Sequence, residues 1–302
     1  MEIKMNSTAS PLLTIITPTY NRGHLLKNCY ESLLRQSDKD FEWIIVDDGS
    51  TDATMDVVMA FDTEDFEIIY VPKENGGKHT ALNAAHPHIR GKYVLILDSD
   101  DYLADTAVEQ VRRGWEAWAD NEQVGLVTFL KGPAVGDPNC TGSIAGEPVD
   151  ILGCKRNVIH STDCCEVIRR ELFLEYPFPV FPGERFLSEG ALWNRVARTH
   201  KCVYINDVIY ICEYLDGGLT KSGRAMRIRN PRGGMFSAEL GMAVNNNLKS
   251  RIKNGLLYTC YGFFAGMTPT QILAGTQHKW MAGLCLLPGY ALCRYWKHRH
   301  MK

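Results

Sequence analysis

Residues Val94 to Asp101 read VLILDSDD, and this stretch decides the fold. Four apolar residues end abruptly in aspartates, which predicts a strand buried in a sheet. Asp98 and Asp100 would then lie at the carboxyl edge of the sheet, where open α/β sheets hold their ligands. Because residues two apart in a strand point the same way, both carboxylates can bind one Mg²⁺ or Mn²⁺ ion. The alternative is a polar turn in which Asp101 begins a helix.

Three earlier apolar runs also have the composition of buried strands. They are Leu12 to Ile16, Phe41 to Val46 and Phe66 to Val71. Segments with helical periodicity separate these runs, so strand and helix alternate at intervals of roughly 30 residues. This order predicts right-handed βαβ units in an α/β fold, with a Rossmann-like, mostly parallel central sheet flanked by helices.

Each predicted strand is followed by residues suited to ligand binding. The four segments are TPTYNR at 17–22, DDGSTD at 47–52, ENGGKH at 74–79 and DSD at 98–100. Neither GxGxxG nor GxxxxGK[ST] follows the first strand, which excludes a dinucleotide-binding Rossmann domain and a P-loop NTPase. The two glycines of the third segment allow a ligand to approach the backbone closely.

Composition limits the class of protein and its location. The chain has 302 residues, of which 45% are hydrophobic, and a net charge of −2, so it can bury a large core and gives no indication of a nucleic-acid partner. Ten cysteines without a CxxC spacing favour reduced thiols in a cytosolic protein. The polar N-terminus lacks a signal peptide, and no apolar run is long enough to span a bilayer, so we expect the catalytic part in the cytoplasm.

The motifs TPTYNR, VDDGSTD, ENGGKHTALNAA and LDSDD, in this order, resemble the family 2 glycosyltransferases with the GT-A fold. The likeness is dense over roughly the first 105 residues and looser over the next hundred. It implies an inverting transferase that uses a nucleotide-diphosphate sugar, commonly a UDP-sugar, together with Mn²⁺ or Mg²⁺.

The resemblance also implies roles for individual residues. Pro18 and Tyr20 would border the nucleobase, and Asp48 would form a hydrogen bond with it. Asp98 would contact the ribose or the metal, while Asp100 would bind the metal that bridges to the diphosphate. The predicted donor-binding positions are Pro18, Tyr20, Arg22, Asp48, Gly77, Lys78, Asp98, Ser99 and Lys221.

The catalytic base is expected at the start of a helix after residue 188. The family often carries Glu-Asp there, and this chain has Glu189-Gly190. We predict Glu189 as the base that takes a proton from the acceptor hydroxyl. Glu184 and Asp163 are the alternative bases. Glu189 could also have no catalytic role, because the helix dipole alone favours a carboxylate at the start of a helix.

A basic segment follows at residues 221–232 and begins with Lys221. It suits a diphosphate or an anionic lipid-linked acceptor. A solvated basic helix face explains it equally well.

We divide the chain into a GT-A domain, 1–235, and a helical C-terminal extension, 236–302. The domain comprises a donor half, 10–130, and an acceptor half, 131–235. In the extension, Trp280 to Trp296 is apolar, is interrupted by Pro288-Gly289 and precedes basic residues, which predicts an anchor at an anionic membrane interface. The alternative is a helix hairpin that packs on the domain or on a second subunit of a homo-oligomer.

The sequence thus predicts a metal-dependent inverting glycosyltransferase, peripheral at the inner face of the cell membrane. Its donor would be a nucleotide sugar, and its acceptor a glycan or lipid-linked molecule in cell-surface polysaccharide synthesis. The alternatives are a nucleotidyltransferase and a non-catalytic nucleotide-sugar-binding protein that has lost its base.

Overall fold

The computed structural model describes residues 10–139, 141–142, 146–150, 158–159, 164–212, 223–243 and 247–300. The predictions for Asp163 and Lys221 lie outside these residues. The chain forms two compact units, Met1–Pro177 with Thr199–Tyr214, and Phe178–Arg198 with Leu215–Lys302. The functional division at residues 235 and 236 stays a prediction, because compactness assigns no function to either unit.

The first unit begins with regular strand and helix alternation. Its first elements are β1 (Leu13–Thr19), α1 (Gly23–Leu34), β2 (Phe41–Asp47), α2 (Thr54–Met59), β3 (Glu67–Pro72), α3 (Lys78–Ala85) and β4 (Tyr93–Ile96). The later elements are β5 (Tyr102–Leu103), α4 (Ala107–Glu116), β6 (Val124–Gly132), β7 (Thr141–Gly142), β8 (Pro148–Asp150), β9 (Val158–Ile159), β10 (Cys164–Arg169), α5 (Arg170–Glu175) and β11 (Lys201–Ile211). The predicted strands and helices of the first hundred residues are therefore confirmed.

Nine of the described strands form one mixed sheet in the order β3-β2-β1-β4-β10-β6-β11-β5, with β8 also paired to β11. The first four strands in this order are parallel. Strand β10 is antiparallel to both β4 and β6, so β6 and β11, which are parallel to each other, run in the direction of the first four. Most of the sheet therefore runs one way, as predicted. A separate antiparallel pair joins β7 and β9.

The core of the first unit lies where helices cover alternate strand positions. Leu13 and Ile15 of β1 and Trp43 of β2 share one cluster with Leu26 of α1 and Trp115 of α4. Every residue of β1 and β2 is buried. Burial on both faces explains why these strands are continuous apolar runs rather than alternating ones.

Proline has no N–H to donate, so Pro18 is expected to end the first strand; this expectation is wrong, because β1 continues to Thr19. The ladder to β4 ends at Ile16, whose carbonyl accepts a hydrogen bond from Leu97. On the opposite side, the carbonyl of Thr19 accepts one from Asp48 beside β2. Alternate strand residues bond to opposite neighbours, so Pro18 faces the side on which the ladder has already ended, and its missing N–H costs nothing.

The segment CVYINDVIYI at 202–211 has the pattern of two short strands, but the structure has a single strand there, β11. Its pairing with β6 shifts register between Tyr204 and Val208. Such a bulge leaves residues unpaired while the strand continues. Polar Asn206 and Asp207 are exposed at the bulge, and they divide the apolar pattern of the strand into two short runs.

The second unit is helical in its described part. Its helices are α6 (Gly190–Val196), α7 (Gly223–Arg229), α8 (Pro231–Gly241), α9 (Leu248–Phe264), α10 (Pro269–Ala274) and α11 (Lys279–His300). Met242, Tyr258, Tyr261, Met281 and Trp296 belong to one buried cluster of this unit. None of the described helices is both long and apolar enough to cross a bilayer.

The predicted interruption at Pro288-Gly289 is also wrong, since both residues lie within α11. A Cβ on Gly289 would come within 2.0 Å of Thr259 Oγ1, so the missing side chain lets α11 lie close against α9. Thr259 Oγ1 donates a hydrogen bond of 3.0 Å to the carbonyl of Cys285, in the turn that Pro288 disturbs. Helix α9 therefore packs closely against the turn of α11 that contains Pro288.

Candidate active site

The loops after the first four strands share the carboxyl edge of the parallel part of the sheet. Asn21, after β1, has the left-handed φ of 52°. Its N–H donates to Ser50 Oγ at 2.8 Å, and its side-chain oxygen accepts from the N–H of Thr51 at 2.7 Å. The first two loops are therefore joined before any ligand binds.

Asp48, after β2, is 4% exposed and lies in a cradle formed by the loop after β3. The N–H groups of Gly76 and Gly77 donate to its two carboxylate oxygens at 2.9 and 2.7 Å. Lys73 Nζ lies 2.5 Å from Oδ1 of the same carboxylate and 2.9 Å from Thr80 Oγ1. The structure thus joins two predicted donor-binding residues, Asp48 and Gly77.

Sequence reasoning missed Lys73. A second lysine just before the Gly-Gly pair was the available signal, but only the fold places it beside Asp48. Close packing of the loops also depends on Gly49, which has φ of 81° and whose Cβ would lie 2.8 Å from the backbone N of Asn75. The Asn75 side chain donates to the carbonyl of Asp48 at 2.9 Å.

The two carboxylates of the LDSDD stretch are each balanced by a cation from another loop. Arg22 Nη1 lies 2.9 Å from Asp100 Oδ2, and Lys78, the first residue of α3, forms an ion pair with Asp98. Burial opposes ionisation of Asp98, but the charges of Lys78, Lys131 and Arg22 outweigh it and lower the pKa of this carboxyl. Four predicted residues are thereby brought together.

Tyr210 of β11 fixes the backbone at the end of β4. The N–H of Asp98 donates to Tyr210 Oη at 2.9 Å, and this hydroxyl donates to Asp101 Oδ2 at 2.8 Å. Lys131 Nζ lies 3.9 Å from the centre of the ring. Burial, together with the nearby charge of Asp98, raises the pKa of Asp101 to about 7. No local sequence signal connects Tyr210 to Asp98, which lies 112 residues earlier.

The donor set of Asp98 and Asp100 fits a hard divalent cation. Both side chains offer only oxygen, both are partly exposed, and Mg²⁺ typically takes one or two carboxylates and completes its shell with water and phosphate. Within the described part of the chain, no group of three or more His, Cys, Asp or Glu side chains is arranged to hold a metal. An ion held by these two carboxylates would therefore take its remaining ligands from water or from a bound substrate.

The other predicted residues differ in exposure. Tyr20 is 47% exposed beside the loop after β1, so its ring is open to a ligand. Pro18 and Ser99 are buried. Any contribution of Pro18 or Ser99 to donor binding would act through the shape of the loop rather than through an exposed side chain.

The two described candidates for the base lie in the second unit and differ in their contacts. Glu189 precedes α6, and its carbonyl accepts from the N–H of Leu192 at 2.8 Å. Both carboxylate oxygens of Glu184 accept from the backbone at the start of α8, from Arg232 at 2.7 Å and Gly233 at 2.8 Å. Glu184 therefore serves a structural purpose, and Glu189 stays the predicted base.

Solved glycosyltransferase structures share this fold. TarS residues 1–349 from S. aureus, in complex with UDP-GlcNAc, match with a TM-score of 0.61 and 18% identity, covering 95% of this chain and 91% of that one. The mannosyltransferase PcManGT from Pyrobaculum calidifontis, in complex with GDP-Man and Mn²⁺, matches with a TM-score of 0.57 and 22% identity, covering 97% and 83%. This likeness shows the fold, which is the GT-A fold of these glycosyltransferases.

The chain belongs to glycosyl transferase family 2, whose family model matches residues 14–176, more than half of the chain. Glycosyltransferase GlyG from Streptococcus pneumoniae serotype 4 is 28% identical over 228 residues, which cover 70% of this chain and 74% of GlyG. Chondroitin synthase from Pasteurella multocida is 40% identical over 99 residues, which are 33% of this chain and 10% of the synthase. The resemblance seen in the four motifs is confirmed.

Proposed function

We propose that the protein is a metal-dependent inverting glycosyltransferase that transfers a sugar from a nucleoside diphosphate sugar, a UDP-sugar in the first instance, to a hydroxyl group. The observation that carries this proposal is the meeting of the Asp48 cradle with the Asp98 and Asp100 carboxylates at one sheet edge. The nucleotide sugars bound by TarS and PcManGT support the donor class.

In this proposal Asp48 recognises the nucleobase, and the glycine loop keeps it in place. Tyr20, exposed beside the same edge, would cover the face of the base. Asp98 and Asp100 would hold Mn²⁺ or Mg²⁺, which when bound supplies positive charge to the diphosphate. Arg22 and Lys78 lie beside these carboxylates and would also stabilise the negative charge of the leaving diphosphate.

Glu189 would accept the proton of the acceptor hydroxyl as that oxygen attacks the anomeric carbon. An alcohol has too high a pKa to lose its proton unaided at neutral pH, so a carboxylate base is needed. Attack from the face opposite the diphosphate inverts the configuration of the sugar. The basic segment at 221–232 would assist with the diphosphate or with an anionic acceptor.

The acceptor class that we propose has support from one of the relatives. Chondroitin synthase, by name a polysaccharide-forming enzyme, supports a glycan or lipid-linked acceptor in cell-surface polysaccharide synthesis. We further place the protein in the cytoplasm at the inner face of the membrane, with self-association as an alternative role for its C-terminal helices. Family membership favours glycosyl transfer over nucleotidyl transfer.

The first test is calorimetric binding of UDP-, GDP- and dTDP-sugars with Mn²⁺ or Mg²⁺, followed by donor hydrolysis. We expect metal-dependent binding of one donor and slow hydrolysis, and Asp100→Ala should abolish transfer while the protein stays folded. Glu189→Gln should lower turnover by about 10² or more with little change in donor binding. Glu175→Gln, at an exposed glutamate, is the control. Failure of every donor to bind would overturn the proposal.

A non-catalytic binding protein is the second candidate, because Gly190 stands where the family often has the second acid. Among the described residues, a Cβ at Gly190 would meet only Ser188 Oγ, at an ordinary 3.5 Å, so the backbone there has room for the first side-chain atom of an aspartate. Gly190→Asp therefore separates the candidates. If the wild type binds donor without turnover and the variant gains turnover, the chain is a binding protein whose base was lost at this position.

A further inference from the structure

The charge of the chain is distributed very unevenly. Residues 240–302 contain eight Lys and Arg and no Asp or Glu, whereas residues 1–239 contain the other 25 Lys and Arg against 35 Asp and Glu. A net charge of −2 thus conceals +8 at one end and −10 over the rest. Such an asymmetry indicates that the C-terminal helices meet an anionic partner.

Helix α11 has two apolar faces, and only one is packed within the second unit. Its buried face consists of Met281, Ala282, Cys285, Gly289, Cys293 and Trp296. The opposite face consists of Trp280, Leu284, Leu287, Ala291 and Tyr295, spaced by four, three, four and four residues. These side chains are exposed, with Leu284 at 71% and Leu287 at 82%. We call this exposed row the apolar stripe.

The start of α9 widens the apolar stripe. Leu248 and Ile252 are 60% and 48% exposed. The backbone of Ile252 contacts Cys285 Sγ, one residue from Leu284, and the Arg251 guanidinium lies 5.9 Å from the centre of the Trp280 ring. The exposed apolar side chains of the two helices therefore form one surface with a basic residue at its border.

We propose that this surface, the apolar stripe with Leu248 and Ile252, lies flat on an anionic lipid bilayer. Three exposed basic residues lie at the C-terminal end of the stripe: Arg294 just before Tyr295, and Lys297 and Arg299 after it. From there they can reach the phosphate head groups. The absence of acidic residues after Glu239 favours a lipid surface over a protein partner, whose polar rim would normally contain both signs of charge.

The geometry fits a helix in the plane of the interface. At 1.5 Å per residue α11 is roughly 33 Å long, with Trp280 near its start and Tyr295 near its end, and such rings are favoured at the head-group level. Its buried face is occupied by the rest of its unit, so only one side is available to lipid. This proposal rests on the membrane location given under the proposed function and adds the surface that contacts the lipid.

The test is flotation of the full-length protein with vesicles of phosphatidylcholine alone or mixed equally with phosphatidylglycerol. We expect binding only to the anionic vesicles, weakened by salt. Leu287→Glu should reduce partitioning by about tenfold or more, because it places a charge in the centre of the stripe. Val180→Glu, at a 59% exposed apolar residue outside both helices, is the control and should change nothing.

A second variant separates charge from apolar contact. Replacing Arg294, Lys297 and Arg299 together by Gln should lower the partition coefficient roughly a hundredfold, at about fivefold per charge. Equal binding of wild type and Leu287→Glu, or no binding to anionic vesicles, would overturn the inference. The inference would also be overturned if light scattering showed a dimer that Leu287→Glu dissociates, while neither the wild type nor the variant bound vesicles. Donor binding measured on the same samples reports on the proposed transferase separately.

Discussion

Replacing Arg90 by Met should destabilise the first unit far more than replacing Arg112 by Met, although each arginine bridges two carboxylates. Arg90 Nε lies 2.7 Å from Glu42 Oε2, and its Nη2 pairs with Glu67. Glu42 is 1% exposed and lies near the start of β2, between β3 and β1. Arg112 instead pairs with Asp38 at 2.7 Å, at the surface.

The expected magnitude follows from what remains around each carboxylate. Removing one partner of a buried ion pair typically costs about 3–5 kcal/mol. Glu42 keeps donors from Thr14 Oγ1 at 2.6 Å and from the N–H of Arg90 at 2.7 Å, and water can enter where Arg90 is 41% exposed. We therefore expect a loss of about 2–3 kcal/mol for Arg90→Met. Arg112→Met should cost less than about 1 kcal/mol.

The assay is urea unfolding followed by tryptophan fluorescence, since Trp43 and Trp115 lie in the core of this unit. The slope of the transition should stay constant while its midpoint falls. Adding Glu42→Gln to Arg90→Met should recover part of the loss, because it removes the unpaired buried charge. Equal destabilisation by Arg90→Met and Arg112→Met would refute the reasoning.

Three further predictions concern the site. Lys73→Met should raise the Kd for the nucleotide sugar about tenfold, since Asp48 loses its cation but keeps its glycine donors; an unchanged calorimetric Kd would contradict this. Tyr210→Phe should lower the free energy of unfolding by about 2 kcal/mol, because the N–H of Asp98 loses its acceptor, and a neutral result in urea would disprove the assigned bond. Burial lowers the pKa of His79 in the folded state, so on acidification the unfolded state takes up the imidazole proton first. The free energy of unfolding should therefore fall as the pH drops below about 6.5. His79→Gln should make the difference between the free energies of unfolding at pH 7 and pH 5, measured in urea, smaller than in the wild type.

The first hundred residues could be predicted from the sequence because each buried strand is a separate apolar run. The apolar run Val94 to Leu97, for example, predicts a strand within one residue of each observed end of β4, Tyr93 and Ile96. Parallel pairing then brings all four strand ends to one edge, so the position of Asp98 and Lys78 at the same edge follows from local signals.

The contacts that could not be predicted join distant parts of the chain. Tyr210 reaches Asp98 because β11 pairs with β5, which directly follows the DSDD segment, and no periodicity encodes that pairing. The close packing of α11 on α9 beside Pro288, where Thr259 contacts Cys285 and Gly289, likewise joins distant parts of the chain. Local propensity predicts a break there, and tertiary packing overrides it.

The cradle around Asp48 limits which sequences can occupy this loop. Gly49 has no space for a Cβ beside Asn75, and Gly77 has φ of 93° while its N–H holds the carboxylate. Any side chain at either position would strain the backbone or separate the two loops. If every residue of the loop is replaced in turn, substitutions at these two glycines should reduce activity as much as substitutions at Asp48. Neither glycine has a side chain that could contact a ligand.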